Sequence, residues 1–91
     1  MTVYVDPLLA RGWKMRGRAV KSSHLFTDQV ELDELHAFAL RIGLRFEWFQ
    51  NHDRLPHYDV TPSRRAAAVR AGAVEVDSRE SCRIMRARAG L

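Results

Sequence analysis

Between Asp28 and Gly43, apolar side chains recur at every third or fourth position, a spacing that places them on one face of an α-helix. The members of this stripe are Leu32, Leu35, Phe38, Ala39 and Ile42. We predict that Asp28 caps this helix with Glu31 as its capping-box partner, and that the helix ends near Gly43. Because an amphipathic helix must cover its apolar face, the rest of the chain has to supply a second layer.

Short runs rich in β-branched and aromatic residues supply that layer. The predicted strands are residues 2–5, 44–49 and 73–76, with a further extended segment over residues 19–26. The glycine-containing stretch 7–17 and the polar stretch 50–60, which contains Pro56, are predicted loops.

Two more helices are predicted in the last third of the chain. Thr61 followed by Pro62 indicates the start of a helix over residues 63–71, which stops at Gly72. Asp77 and Ser78 cap a last helix that runs to about Ala89, with Gly90 beyond it. The weak apolar stripe of this helix comprises Cys82, Met85 and Ala89, with Ile84 and Leu91 to one side.

Strands that alternate with helices of about ten residues favour parallel pairing through right-handed crossovers. The sequence therefore predicts one domain, residues 1–91, of the α/β class. Its sheet is expected to be small, with three to four mostly parallel strands and about three helices.

The composition narrows the class of protein. The single cysteine, Cys82, excludes an intrachain disulfide and a cysteine-rich zinc site, and we expect its thiol to be buried in the last helix. No apolar run approaches the ~18–20 residues of a membrane span, and the start of the chain lacks a secretion signal. We expect a cytoplasmic protein with no membrane partner. The weak final stripe and the small core favour a homodimer.

The formal charge of +4 is unevenly distributed. Residues 1–27 carry a net charge of +4, residues 28–59 carry −4, and residues 60–91 carry +4. The densest basic run lies in the predicted 11–21 loop and consists of Arg11, Lys14, Arg16, Arg18 and Lys21, with Trp13 among them. Such a run can bind phosphates while an indole stacks on a base. The alternative is a solvated loop.

Polar residues follow each predicted strand, where an open α/β sheet places its ligands. These residues are Asp6 after the first strand, Gln50 with Asn51 and His52 after the second, and Asp77 after the third. Asp28 and Asp77 are more simply interpreted as helix caps.

The segment His57-Tyr58-Asp59 is the other candidate. A carboxylate two residues from an imidazole can orient it, as for general bases and metal-binding histidines alike. With Asp6 and His24, the pair could complete a mixed nitrogen and oxygen site for zinc, manganese or iron. His36 lies beside the apolar stripe of the first helix, so we interpret it as a hydrogen-bonded histidine at the rim of the core.

Several enzyme classes lack their motifs. The chain has no G-x-G-x-x-G, no P-loop and no G-x-S-x-G segment, which argues against dinucleotide binding, P-loop NTPases and the serine hydrolases of that type.

Several segments together resemble a bacterial and phage family of small domains of unknown function. They are Val3-Tyr4-Val5-Asp6, Ser23-His24-Leu25-Phe26-Thr27-Asp28, Leu32-Asp33-Glu34-Leu35-His36-Ala37-Phe38-Ala39, Phe49-Gln50, His57-Tyr58-Asp59-Val60 and Ser78-Arg79-Glu80. The resemblance covers nearly the whole chain in order and implies no established reaction. It draws attention to Asp6, Trp13, His24, His36, His57, Tyr58 and Asp59.

Two functions remain. The first is a small-ligand-binding or hydrolytic site for a phosphorylated or nucleotide-like molecule. Its predicted catalytic residues are Asp6, His57 and Asp59, and its predicted ligand-binding residues are Trp13, Arg16, Arg18, His24, Gln50 and Tyr58. A divalent metal is a candidate cofactor. The alternative is a non-catalytic module that binds nucleic acid or protein through the 11–21 loop and the basic last helix.

Overall fold

The computed structural model describes residues 2–53 and 55–88 of the chain. The six strands are β1 (Val3–Val5), β2 (Leu9–Met15), β3 (Arg18–Thr27), β4 (Phe49–Gln50), β5 (His57–Val60) and β6 (Val74–Glu75). The three α-helices are α1 (Asp33–Arg41), α2 (Pro62–Arg70) and α3 (Ser78–Arg88), and a short 3₁₀ helix (Phe46–Trp48) precedes β4. None of the helices in these ranges is long and apolar enough to cross a membrane.

The long strand β3 organises the sheet, whose strand order is β4-β5-β3-β1-β6. Its second half pairs with β5 on one side, where His24 faces Asp59, and with β1 on the other, where Leu25 faces Val5. Its first half pairs with β2 in a hairpin. This arrangement places one residue of β3, His24, between Asp6 at the end of β1 and Asp59 on β5.

The predicted α/β class is confirmed, but the predicted three- to four-stranded, mostly parallel sheet is wrong. Among the described strands, β1 and β6 form the one parallel pair, and the other four pairings are antiparallel. Two predicted loops account for the difference. Residues 9–15 form a hairpin strand, and residues 57–60 form β5 at the end of the polar stretch 50–60.

Helices cover both faces of the sheet. The larger apolar cluster packs α1 and α2 against one face and includes Val5, Leu25, Leu35, Phe38, Tyr58, Val60 and Ala68. The smaller cluster packs α3 against the other face through Phe26, Leu55 and Ile84. Since neighbouring residues of a strand point to opposite faces, Leu25 and Phe26 belong to different clusters.

The ends of α1 and α2 follow the sequence signals. Gly43 and Gly72 adopt positive φ angles of 85° and 112°, which glycine tolerates best. Both helices end in the same hydrogen-bond pattern, with Leu44 N–H donating to the carbonyl of Ala39 and Ala73 N–H donating to that of Ala68. The predicted start of α2 is also confirmed, because Thr61 Oγ1 accepts a hydrogen bond from the backbone N–H of Arg64.

Other boundaries differ from the predictions. The helix predicted to be capped by Asp28 begins at Asp33, and Asp28 instead accepts a hydrogen bond from the Tyr4 hydroxyl at 3.3 Å. The strand predicted over residues 44–49 is wrong for most of its length, because residues 46–48 form the 3₁₀ helix and β4 pairs with β5 only from Phe49 onward.

The last helix is confirmed from Ser78 to Arg88, and Asp77 Oδ1 accepts from the backbone N–H of Glu80 at 2.8 Å. Its buried side is formed by Ser81 and Ile84, so the prediction of a buried Cys82 is wrong, because this thiol is exposed. The predicted positions of Ala89, Gly90 and Leu91 lie outside the described residues.

Candidate functional site

Alternation along β3 and β5 separates core residues from polar ones. On β5, Tyr58 and Val60 are buried in the larger apolar cluster, whereas His57 and Asp59 point to the opposite face. His24 faces Asp59 across the antiparallel pair. We call His24, His57 and Asp59 the histidine–aspartate cluster.

Asp6 holds His24 through both of its carboxylate oxygens. Oδ2 lies 2.6 Å from His24 Nδ1, and Oδ1 accepts the backbone N–H of His24 at 2.7 Å. Asp6 is itself fixed, because its backbone carbonyl accepts hydrogen bonds from Ser23 Oγ at 2.7 Å and from Arg65 Nε at 2.9 Å. The imidazole of His24 therefore has one orientation, with Nε2 directed away from Asp6.

His57 is oriented by a backbone group. Its Nδ1 lies 2.6 Å from the carbonyl oxygen of Leu55, which can only accept a hydrogen bond, so Nδ1 must donate. Its Nε2 lies 3.5 Å from Asp59 Oδ1, and His24 Nε2 lies 4.0 Å from the same oxygen. The two imidazole rings meet edge to face with centroids 4.6 Å apart.

Three atoms with free lone pairs thus converge. When both imidazoles are neutral, each carries its proton on Nδ1, and each Nε2 is an acceptor that faces the carboxylate of Asp59. The Asp59 carboxylate lies 3.5 Å and 4.0 Å from the two Nε2 atoms, and acceptor atoms this close repel one another unless a proton or another cation lies between them. The histidine–aspartate cluster is therefore a favourable place for a proton or another cation to bind.

The pKa values of the cluster agree with this arrangement. Burial lowers the pKa of His57, but its contacts with Asp59 and the Leu55 carbonyl and the charge of Asp6 together raise it above the usual value. The contact with His57 lowers the pKa of Asp59 against the effect of burial. Burial raises the pKa of Asp6, yet the hydrogen bonds from His24 hold this pKa below its usual value.

A cleft of about 900 Å³ adjoins the cluster, and Asp59 lines both. We call it the hairpin cleft, because the β2–β3 hairpin forms one wall through Arg11, Trp13 and Met15. The opposite side comes from the 3₁₀ helix, β4 and the start of α2. The side chains on that side are Glu47, Trp48, Gln50, Thr61, Ser63 and Arg64.

The structure brings together four of the predicted site residues, namely Asp6, His24, His57 and Asp59. Their roles differ from the expected ones. The carboxylate that orients an imidazole through Nδ1 is Asp6 acting on His24, whereas Asp59 lies on the Nε2 side of His57. Asp6 thus supports a histidine instead of facing the shared centre.

The other predicted ligand-binding residues are dispersed. Trp13 and Gln50 line the hairpin cleft, while Arg16 and Arg18 lie at the exposed tip of the hairpin and are not among the residues that line it. Tyr58 is 1% exposed, and its hydroxyl lies 2.8 Å from His36 Nδ1. Burial on the core side of β5 removes Tyr58 from any ligand in the cleft. His36 has the predicted place at the rim of the core.

Sequence reasoning missed three parts of the site. The Leu55 carbonyl carries no side-chain signal, so its contact with His57 could not be read from residue types. Arg64 and Trp48 line the cleft although they lie in elements predicted only as a helix and a strand. The third is Arg11, whose Nη2 lies 3.8 Å from Oδ1 of Asp6, the residue that holds His24.

Comparisons with known proteins identify a family, but this family has no assigned function. Searches of curated proteins and of solved structures found no match to this chain. A model of the family described as "Protein of unknown function (DUF4031)" matches residues 3–88, which include every member of the cluster and both walls of the cleft. The chain therefore belongs to the DUF4031 family of proteins of unknown function.

Proposed function

We propose that this protein binds and hydrolyses a phosphorylated or nucleotide-like small molecule, with the reacting group at the histidine–aspartate cluster and the remainder in the hairpin cleft. One observation carries the proposal. The oriented lone pairs of His24, His57 and Asp59 converge next to a cleft lined by arginine and tryptophan, and Asp59 belongs to both. Polar groups that converge at the edge of a cleft are the general pattern of an active site.

The cleft has the chemistry to bind a phosphate ester. Its volume of about 900 Å³ is suited to a nucleotide-sized molecule. The guanidinium groups of Arg11 and Arg64 can donate to phosphate oxygens, since each has five N–H bonds and uses few of them within the protein. The indoles of Trp13 and Trp48 offer flat faces on which a base can stack.

The cluster would activate the attacking water. The water gives a proton to one of the acceptor atoms as its oxygen bonds to phosphorus, and the ester oxygen leaves with the electron pair of the broken P–O bond. The leaving oxygen then takes this proton from the cluster, so that the products are an alcohol and inorganic phosphate or a phosphate monoester. Positioned acid–base groups of this kind contribute about 10²–10⁴-fold to a rate.

A panel of phosphomonoesters, phosphodiesters and nucleotides tests this function. We expect the wild-type protein to hydrolyse at least one class, and Asp59→Asn to lower that rate at least about 100-fold. Asp33→Asn, which changes an exposed carboxylate at the start of α1, is the matched control and should keep the wild-type rate. The proposal fails if the panel gives no hydrolysis, or if Asp59→Asn keeps the wild-type rate.

The alternative, a nucleic-acid-binding module, gains support from the hairpin. Lys14, Arg16 and Arg18 are exposed on a two-stranded ribbon that pairs with the sheet through one strand only. A basic ribbon can bind the phosphates of nucleic acid. The last helix adds Arg79, Arg83 and Arg86 around a shallow depression.

Salt dependence separates this alternative from the first function. Binding of a labelled single-stranded oligonucleotide should weaken steeply between low and physiological salt. The double variant Arg16→Gln/Arg18→Gln should reduce the slope by about 0.7 for each phosphate that the protein no longer neutralises. Absence of binding at low salt would refute the module.

The source, cellular location and oligomeric state of the protein remain predictions. The resemblance implies a bacterial or phage source, and the sequence implies a cytoplasmic location and a homodimer. These proposals are independent of the chemistry of the cluster.

A further inference from the structure

We propose that His24 Nε2, His57 Nε2 and Asp59 Oδ1 bind a divalent metal ion of the zinc class. The inference deepens the proposed function, on which it rests for what the ion does, because it names the species that activates the water. Binding of the ion itself is measurable without any substrate.

The arrangement of acceptor atoms in the site favours a bound cation. The Leu55 carbonyl fixes the proton of His57 on Nδ1, and the Asp6 carboxylate does the same for His24. When both imidazoles are neutral, the two Nε2 atoms and Asp59 Oδ1 face one another as acceptors, with no donor among the three. A metal ion satisfies all of them at once, since metal ligands must present free lone pairs.

The distances fit one ion. Zinc bonds to nitrogen and oxygen are about 2.1 Å long, so two ligands of a tetrahedral ion lie about 3.4 Å apart. The distance from Asp59 Oδ1 is 3.5 Å to His57 Nε2 and 4.0 Å to His24 Nε2. The ligand atoms of all three residues lie within 4.8 Å of one another. Coordination of one ion would shorten the His24–Asp59 distance by about 0.6 Å, and no pair of ligand atoms by more than about 1.4 Å.

The surroundings match those of metal-binding histidines, which donate their second ring N–H to a carboxylate or a backbone carbonyl. His24 has the first type of partner in Asp6 and His57 has the second in Leu55, both at 2.6 Å. A histidine held in this way presents its Nε2 in a fixed direction. Two such histidines beside one carboxylate are unlike a set of polar groups that meet by chance on a surface.

Three protein ligands leave at least one position of the ion open. Imidazole and carboxylate ligands suit zinc, manganese and iron(II), whereas magnesium prefers six oxygen ligands. A water bound in the open position would lose a proton near neutral pH and attack the phosphate held in the hairpin cleft. The side chain of Asp59 is 38% exposed, so the ion and the substrate can reach the site from solvent.

Calorimetric titration of the chelator-treated full chain with zinc chloride alone tests the inference. We expect one ion per chain with a Kd of about 1 μM or tighter, and magnesium chloride to bind at least about 100-fold more weakly. Asp59→Asn should weaken zinc binding at least 10-fold, while the control Asp33→Asn keeps the wild-type Kd. Nitrogen-15 spectra of the imidazoles should show zinc bound at Nε2 of His24 and His57, with Nδ1 still protonated.

Several results would overturn the site. They are a zinc Kd weaker than about 1 mM, equal affinity for magnesium, unchanged imidazole spectra on zinc addition, or equal losses in Asp59→Asn and Asp33→Asn. The wild-type titration and spectra decide the matter even if a variant fails to fold. Zinc binding without hydrolysis would refute the proposed reaction but leave the metal site intact. Hydrolysis that persists in the presence of a chelator would support the reaction and refute the role of the metal in it.

Asp6 is a positioning residue in this scheme, because it touches His24 and not the ion. Asp6→Asn should weaken zinc binding about 10–100-fold. A merely structural role would leave the zinc-bound imidazole spectrum of His24 unchanged in the folded variant, whereas loss of positioning would shift it.

Discussion

The buried hydroxyl of Tyr58 connects β5 to α1 within the apolar core. It lies on the core side of β5, and its hydroxyl meets His36 Nδ1 of α1 at 2.8 Å. The ring of His36 also packs edge to face against Phe46 and Phe49, with centroids 4.8 Å and 4.7 Å away. The polar contact therefore sits inside an aromatic group that joins α1 to the edge of the sheet.

The pKa of Tyr58 leads to a prediction at alkaline pH. Burial raises this pKa above its usual value, so the folded protein favours the neutral phenol. In the unfolded chain the phenol ionises at about 10. The stabilising contribution is present below that pH and is lost as the pH rises through the raised pKa of the folded state. Ultraviolet titration of the native Tyr4→Phe variant, in which Tyr58 is the one tyrosine left, should show ionisation above pH 10.

The companion variant is Tyr58→Phe, which leaves the ring in place and removes the hydroxyl. We expect it to lower the free energy of unfolding by about 1 kcal/mol, because His36 Nδ1 loses its hydrogen-bond partner. A native Tyr58 that ionises at about pH 10, as in denaturant, would contradict its burial.

At the scale of the element, α2 depends on its first residue. Thr61 Oγ1 accepts a hydrogen bond from Arg64 N–H at 3.3 Å and satisfies one of the free donors at the start of the helix. Thr61→Ala should lower the free energy of unfolding by about 1 kcal/mol in denaturant titration. Ser63→Ala is the control, since the Ser63 hydroxyl meets the Thr61 side chain and not the helix backbone. Equal losses in the two variants would argue against the cap.

A substitution in the turn of the β2–β3 hairpin should stabilise the folded protein. Arg16 and Gly17 connect Met15 to Arg18, and both have positive φ angles, 52° and 78°. Arginine is strained there, while Asn-Gly is the favoured pair in two-residue hairpin turns. Arg16→Asn should raise the free energy of unfolding by about 0.5 kcal/mol, measured by denaturant titration.

Arg18→Asn provides the comparison for the turn. It removes the same charge from the first position of β3, where asparagine is unfavourable, and should not stabilise the protein. If the free energy of unfolding rose in both variants, the cause would be the lower positive charge and not the turn.

At the scale of the whole molecule, the two faces of the sheet are unequally covered. Among the residues that the structure describes, twelve buried ones form the cluster under α1 and α2, whereas three form the cluster under α3. Local opening is easiest where few apolar contacts hold an element. Hydrogen exchange followed by mass spectrometry should show faster exchange in α3 than in α1. Equal protection of both helices would show that the sheet and its helices open as one unit.

The sequence by itself determined the local features of this protein. The apolar stripe of α1, the glycine ends at Gly43 and Gly72 and the cap at Thr61 were all predicted correctly, because each signal acts within one or two helical turns. The polar residue types of the site were also available from the sequence.

Only the tertiary structure decided which strands pair and what each polar group faces. His57 and Asp59 looked like loop residues, because a strand with one polar face and no long apolar run gives a weak signal. Their pairing with β3 set His24 against Asp59 and turned Asp6 into the support of His24. These contacts join segments that are distant along the chain, and they depend on register and strand direction, which local propensity does not encode.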